Sequence, residues 1–73
     1  IIQYTSSHGG GIDINSADKE ELTALDGIGE EKAENIVGYR EEHGAFIYPW
    51  EITNVDGIGE KTYGKIKNDI CAE

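Results

Sequence analysis

Apolar residues in this chain fall in two matching sets. Leu22, Leu25, Ile28 and Ile36 are followed, at a constant offset of 30, by Ile52, Val55, Ile58 and Ile66, and the polar residues between them repeat too. Asp26-Gly27-Ile28-Gly29-Glu30 returns as Asp56-Gly57-Ile58-Gly59-Glu60. A period in the range of about 20 to 50 residues marks a supersecondary unit that buries its apolar face against a neighbouring copy. The chain reads as one doubled unit.

Within each copy the spacing predicts two helices around a turn. Leu22 and Leu25, at i and i+3, give a first helix over Ala17 to Leu25, with Ser16 as N-cap, Lys19 at a position that denies it a capping box, and Gly27 as its stop. Glu30 to His43 keeps a 3.6-residue period through Ala33, Ile36, Val37 and Arg40. Its first two acids suit the positive end of the helix dipole, and Gly44 ends it. Pro49 opens a third helix over Pro49 to Val55, since a proline there loses no helical hydrogen bond. A fourth runs from Glu60 to about Cys71, burying Tyr63, Ile66 and Ile70 and leaving Lys61 and Lys65 one turn apart on another side. Ile12 and Ile14 alternate with Asp13 and Asn15 as an extended lead-in, and Phe46 is placed to fill the core between the copies. Gly38 and Gly64 fall inside helices at about 1 kcal/mol each relative to alanine, which close helix contact explains. Four short helices with two Gly-x-Gly turns make an all-α fold.

Composition narrows this picture. The 73 residues make one small domain, of a size that buries only roughly 60% of its unfolded surface. Cys71 is the single cysteine, so it has no intramolecular partner and reads as a small apolar residue in a last helical turn. Residues 1–11, with Thr5, Ser6, Ser7, His8 and three consecutive glycines, read as a flexible tail or linker ahead of a domain over residues 12–73. The absence of methionine and the Ile1-Ile2 start imply a processed product or a piece of a longer protein. No apolar run approaches the roughly 20 residues that span a bilayer, so a soluble fragment with no membrane contact is expected.

A formal net charge of -9 opposes binding to polyphosphate. The charge is uneven, because residues 12–45 hold three basic and ten acidic side chains whereas residues 46–73 hold three and five. With a Debye length of about 8 Å at physiological salt, a phosphate senses mostly its local patch. Other chemistry is not indicated. Neither Gly-x-Gly continues into a phosphate-binding loop or follows a strand, and two histidines with one cysteine offer no zinc spacing, so no cofactor is expected. His43 suits a helix C-terminus, and the paired glutamates are solvated helix faces.

Leu22-x-x-Leu25-x-Gly27-Ile28-Gly29 with Ala33 four residues on resembles a helix-hairpin-helix motif, and its tandem form is similar to the C-terminal domain of the ComEA competence family. The likeness runs from Ile12 to Ile70 through Asn15-Ser16-Ala17, both Gly-Ile-Gly turns, Tyr39-Arg40-Glu41-Glu42 and Gly44-x-Phe46. It implies a pseudo-twofold, SAM-domain-like fold that binds double-stranded DNA without sequence preference and without catalysis. The glycines turn the backbone sharply and leave room for a sugar-phosphate chain, whose oxygens meet backbone amides at each turn. The resemblance points to Gly27, Ile28, Gly29, Lys32, Gly57, Ile58, Gly59, Lys61 and Lys65 as contacts across a minor groove, with Ile28 and Ile58 directed inward to hold the turns. Lys61 and Lys65 assign more of the binding to the second hairpin.

Departures from the family are Glu30, Glu31 and Glu60 after the hairpins, Tyr48 where Ser or Thr usually caps, and Trp50 in place of an acid, which reads as helix packing. The family implies a monomer, an anchored parent outside the cytoplasmic membrane, and DNA-uptake channel proteins as further partners. Two alternatives stand beside it. One is an acidic protein interaction module, motivated by the charge, and the other a DNA-binding module of a repair protein. Lys61 takes the place of the nucleophile of helix-hairpin-helix glycosylases, but those enzymes need an aspartate further downstream and a second domain around a flipped base.

Overall fold

All eight repeated apolar residues reach the core. Leu22, Ile36, Ile52 and Ile66 are fully buried, and Leu25, Ile28, Val55 and Ile58 nearly so, together with Ile14, Ala17, Ala33, Phe46 and Ile70. The computed structural model describes residues 11–72, so the expected tail lies, except for Gly11, outside the described residues. The element order is β1 (Ile12–Asp13), α1 (Lys19–Leu22), α2 (Glu30–His43), a 3-10 helix (Pro49–Asn54), α3 (Glu60–Ile66) and β2 (Ile70–Cys71). The fold is all-α, with one two-residue parallel ladder added.

The two copies match in their bonds as well as their burial. Thr23 Oγ1 donates to the Glu20 carbonyl at 2.7 Å, and thirty residues on Thr53 Oγ1 donates to Trp50 at 2.9 Å. The Ile28 amide donates to Leu25 at 3.1 Å, and the Ile58 amide to Val55 at 3.0 Å. Each hairpin is thus closed by the same three-residue-back bond.

Four expectations are corrected by the structure. The first helix is shorter than Ala17 to Leu25 and starts after Asp18, not Ser16. Asp18 accepts from the Glu21 amide at 2.8 Å while Glu21 accepts from the Asp18 amide at 3.1 Å, a complete capping box, whereas the Ser16 hydroxyl donates to Asp13 at 3.1 Å. The third helix is 3-10, since Glu51 and Val55 bond three residues back to Tyr48 and Ile52. The last helix ends at Ile66, and Ile70 and Cys71 pair instead with Ile12 and Asp13. Ile12 donates to Asp69 at 2.8 Å and Ile14 to Cys71 at 2.9 Å, so the ladder supplies hydrogen bonds to a lead-in strand that would otherwise have a bare edge. Cys71 therefore stands on a strand, and Gly11 lies so close to Ile70 that an added Cβ would meet its carbonyl carbon at 2.8 Å. Gly38 and Gly64 are not contact glycines, because an added Cβ meets nothing within 4 Å at either.

The connector between the copies is held by one amide side chain. Asn15 donates to the Phe46 carbonyl at 2.9 Å and accepts from the Phe46 amide at 2.7 Å, which fixes the buried ring from both sides of its backbone. Tyr39 stacks on that ring at 5.3 Å, and Arg40 donates to the Ile14 carbonyl at 2.8 Å. Phe46 fills the core as expected.

Backbone conformation separates the glycines into two groups. Gly27, Gly44 and Gly57 have φ of 81°, 89° and 90°, and among the described residues no other type adopts positive φ. Gly27→Ala and Gly57→Ala should each lower unfolding free energy by more than about 1 kcal/mol in urea titrations, because alanine is strained there. Gly38→Ala should raise it by about 0.5–1 kcal/mol, since its helical site is open.

Candidate nucleic-acid interface

Each hairpin combines a left-handed glycine, a buried isoleucine and a second glycine with ordinary backbone. Ile28 and Ile58 are 3% exposed, so their side chains hold the turns from inside, and their amides are spent on Leu25 and Val55. Their side chains are not at the surface. Gly29 and Gly59 are exposed, with φ of -89° and -103°, and an added Cβ would meet nothing within 4 Å. Neither conformation nor internal packing calls for glycine at these two positions.

Those two glycines are the N-caps of α2 and α3, and they leave both helix starts uncapped by any side chain. The first amides of a helix have no intrahelical partner. At α1 the Asp18 carboxylate accepts from one of them, while at α2 and α3 the glycine cap has no side chain to do so. The N-terminal end of a helix carries partial positive charge, so these ends favour an anion.

Lys32, Lys61 and Lys65 surround the hairpins, and among the described residues none is within ion-pair distance of an acid. Lys61 and Lys65 are exposed on α3, as expected. Lys32 is half-buried and its stem reaches the other hairpin: a Cβ on Gly57 would sit 3.6 Å from its Cγ and 3.7 Å from its Cε. Thr62, thirty residues later, takes the reciprocal place against Gly27 at 3.8 Å. A cleft lined by Gly29, Glu30, Glu31, Lys32, Asn35, Asp56 and Gly57 joins the two hairpins. Asn35 crosses it, donating to the Asp56 carbonyl at 3.1 Å.

The acids after the first hairpin are partly engaged. Lys19 bonds Glu34 at 2.7 Å and lies 3.8 Å from Glu30, tying α1 to α2. The hydrogen bond with Glu34 raises the Lys19 pKa above its ordinary 10.5; desolvation opposes the rise, and the charges of Glu34 and Glu30 add to it. At the other end of α2, the His43 ring lies 4.3 Å from that of Tyr39, tilted by 33°. Among the described residues no group of three His, Cys, Asp or Glu is placed to hold a metal ion, and no helix is long and apolar enough to cross a membrane.

One surface feature differs from the sequence expectation. Trp50 is not helix packing: it is 52% exposed and stacks on Tyr48, itself 55% exposed, at 5.9 Å with rings 6° from parallel. Ile47 beside them is 69% exposed. The offset of 30 sets Tyr48 and Trp50 opposite Asp18 and Glu20, so the repeat itself marked both as apolar replacements of surface acids.

Comparison with known families finds a match to the helix-hairpin-helix motif over residues 7–71. The chain belongs to the helix-hairpin-helix family. It is 46% identical over 72 residues to ComE operon protein 1 of Bacillus subtilis, which covers 99% of this chain and 35% of that protein. A 38% identical segment of 60 residues occurs in endonuclease/exonuclease/phosphatase family domain-containing protein 1 of Xenopus laevis, covering 82% of this chain and 11% of the relative. Transcriptional accessory protein Tex of Neisseria gonorrhoeae shares 40% over 53 residues, 73% of this chain and 7% of its own. The chain thus spans about a third or less of these three relatives. Segments similar to this chain recur as parts of proteins with different names.

The division of labour within each hairpin can be measured. Ile58→Ala should cost about 2–5 kcal/mol in chemical unfolding, as loss of a buried aliphatic side chain does. Lys61→Ala, at an exposed and unpaired site, should change stability by less than about 0.5 kcal/mol.

Proposed function

We propose that this domain binds double-stranded DNA without sequence preference, through its two hairpins. One observation carries the reading: Gly29 and Gly59 are exposed glycines that the fold does not need, and each leaves its helix start without a side-chain cap. An N-cap Ser, Asp or Asn would serve these helices better than glycine by a few tenths of a kcal/mol. What glycine adds is room for a phosphate oxygen to reach the backbone. Gly27 and Gly57 make the turns, Ile28 and Ile58 anchor them, and Lys32, Lys61 and Lys65 supply positive charge. Contacts to phosphate carry no base information, so binding is independent of sequence.

Membership of the helix-hairpin-helix family and the similarity to ComE operon protein 1 support this reading. In the parent protein the domain acts as a DNA receptor in transformation, on the outer face of the cytoplasmic membrane, handing duplex to channel proteins. It works as a monomer and without catalysis; of the enzyme-named relative this chain matches only 11%. A second reading, a protein interaction module, is favoured by the exposed Ile47, Tyr48 and Trp50 on an acidic chain.

Titration of labelled duplexes of unrelated sequence at low salt tests the proposal. Dissociation constants should be alike across sequences and fall at about 10⁻⁴–10⁻⁶ M near physiological salt, weakening steeply as salt rises. Gly29→Ala and Gly59→Ala should weaken binding while costing no more than about 1 kcal/mol of stability, alanine being the poorer N-cap, and Lys61→Glu with Lys65→Glu should abolish it while the helical signal persists. Absence of binding at millimolar protein sinks the DNA reading. Trp50→Ala leaves DNA affinity unchanged on this reading, because its surface is not the contact.

A further inference from the structure

The lysine that follows the first hairpin in sequence stands at the second in space. Lys32 leaves the first turn of α2, but its stem passes within van der Waals reach of a Cβ position on Gly57, at 3.6 Å from Cγ and 3.7 Å from Cε. The ammonium is one bond beyond Cε. It therefore ends at the flank of the second hairpin, alongside the Asp56 backbone that Asn35 holds. Thr62 repeats the arrangement from the other side, with its methyl 3.8 Å from a Cβ position on Gly27. Both residues are half-buried, so neither stem is free to swing elsewhere at no cost.

This crossing makes the two hairpins electrostatically unlike. The second hairpin carries Asp56 and Glu60 in its own sequence, followed by Lys61, and receives Lys32 from the other copy. The first carries Asp26, Glu30 and Glu31 and receives Thr62, which brings no charge, while Lys19 pairs with Glu34 and lies near Glu30. A Debye length of about 8 Å at physiological salt keeps each local balance from being averaged over the domain.

We propose that Lys32 contributes its charge to the phosphate held at the second hairpin, and that Thr62 is one position that limits binding at the first. The proposal rests on the DNA reading above. It gives the doubled domain one dominant grip on duplex DNA and one weak one, and it places part of the difference at position 62, beside that made by Glu31 where the second copy has Lys61. A lysine at position 62 would cross to Gly27 as Lys32 crosses to Gly57.

Duplex titrations by fluorescence anisotropy over a salt series, with helical content checked by circular dichroism, decide the matter. Thr62→Lys should tighten binding about threefold to tenfold at low salt and steepen the salt dependence by about 0.9 in log-log slope, as one added phosphate contact does. Lys32→Ala should weaken binding several-fold. Its loss should be largely absorbed by Gly59→Ala and should add fully to Gly29→Ala, because only the former shares its phosphate. An unchanged affinity and slope in folded Thr62→Lys, or coupling of Lys32 to Gly29 in place of Gly59, overturns the crossed arrangement while wild-type binding stands. Failure of the wild type to bind any duplex instead removes the DNA reading itself, and the crossed arrangement with it.

Discussion

The structure depends on reversing the chain between two helices within three residues while keeping the middle residue in the core. A left-handed first residue meets that constraint, and Gly27 and Gly57 provide it at φ of 81° and 90°. The turn then drives Ile28 or Ile58 inward and closes on its amide three residues back. With the isoleucine buried, the next residue is thrown to the surface at the start of a helix. Gly29 and Gly59 stand there, and the open helix ends follow from the same geometry that makes the core.

Doubling the unit does more than double the hairpin. Each copy alone has one apolar face, and the two faces close on each other with Phe46 between them, held by the amide of Asn15. Bringing the faces together also sets the start of each hairpin's second helix against the other copy's turn, so Lys32 meets Gly57 and Thr62 meets Gly27. Packing and surface chemistry are thereby coupled. The lead-in strand is tied to the far end of the chain by a ladder of two residues, which covers the last backbone edge.

An acidic domain that holds a polyanion needs its acids kept from the point of contact. Lys19 draws Glu34 and, at longer range, Glu30, while Lys32, Lys61 and Lys65 stay unpaired among the described residues. The net charge of -9 is thus a poor guide to the field at a hairpin. It misdescribes the second hairpin, where Lys61 and the crossing Lys32 stand beside Asp56 and Glu60, more than the first, where Asp26, Glu30 and Glu31 stand.

The repeat, the core positions and the bounds of α2 were legible in the sequence, because each follows from local rules. Gly29 and Gly44 bracket α2, and the spacing of Ala33, Ile36 and Val37 marks its buried side. Ser16 is the expected first cap, but Asp18 takes it, with Glu21 three residues on returning the bond, a spacing that the sequence carries and that the choice of Ser16 passes over. Amphipathic spacing carried the last helix past Ile66 to Cys71, yet the hydrogen bonds available from Ile12 and Ile14 turned Ile70 and Cys71 into a strand. Periodicity has no means of seeing a partner so distant in the chain. The same limit hid the crossing of Lys32. By itself the sequence determined two glycine hairpins, a shared apolar core and a surplus of acid, since spacing and composition act along the chain. Tertiary structure alone decided which lysine stands at which hairpin and which glycines the fold can do without, because those depend on the distance between copies and on the space around each Cα.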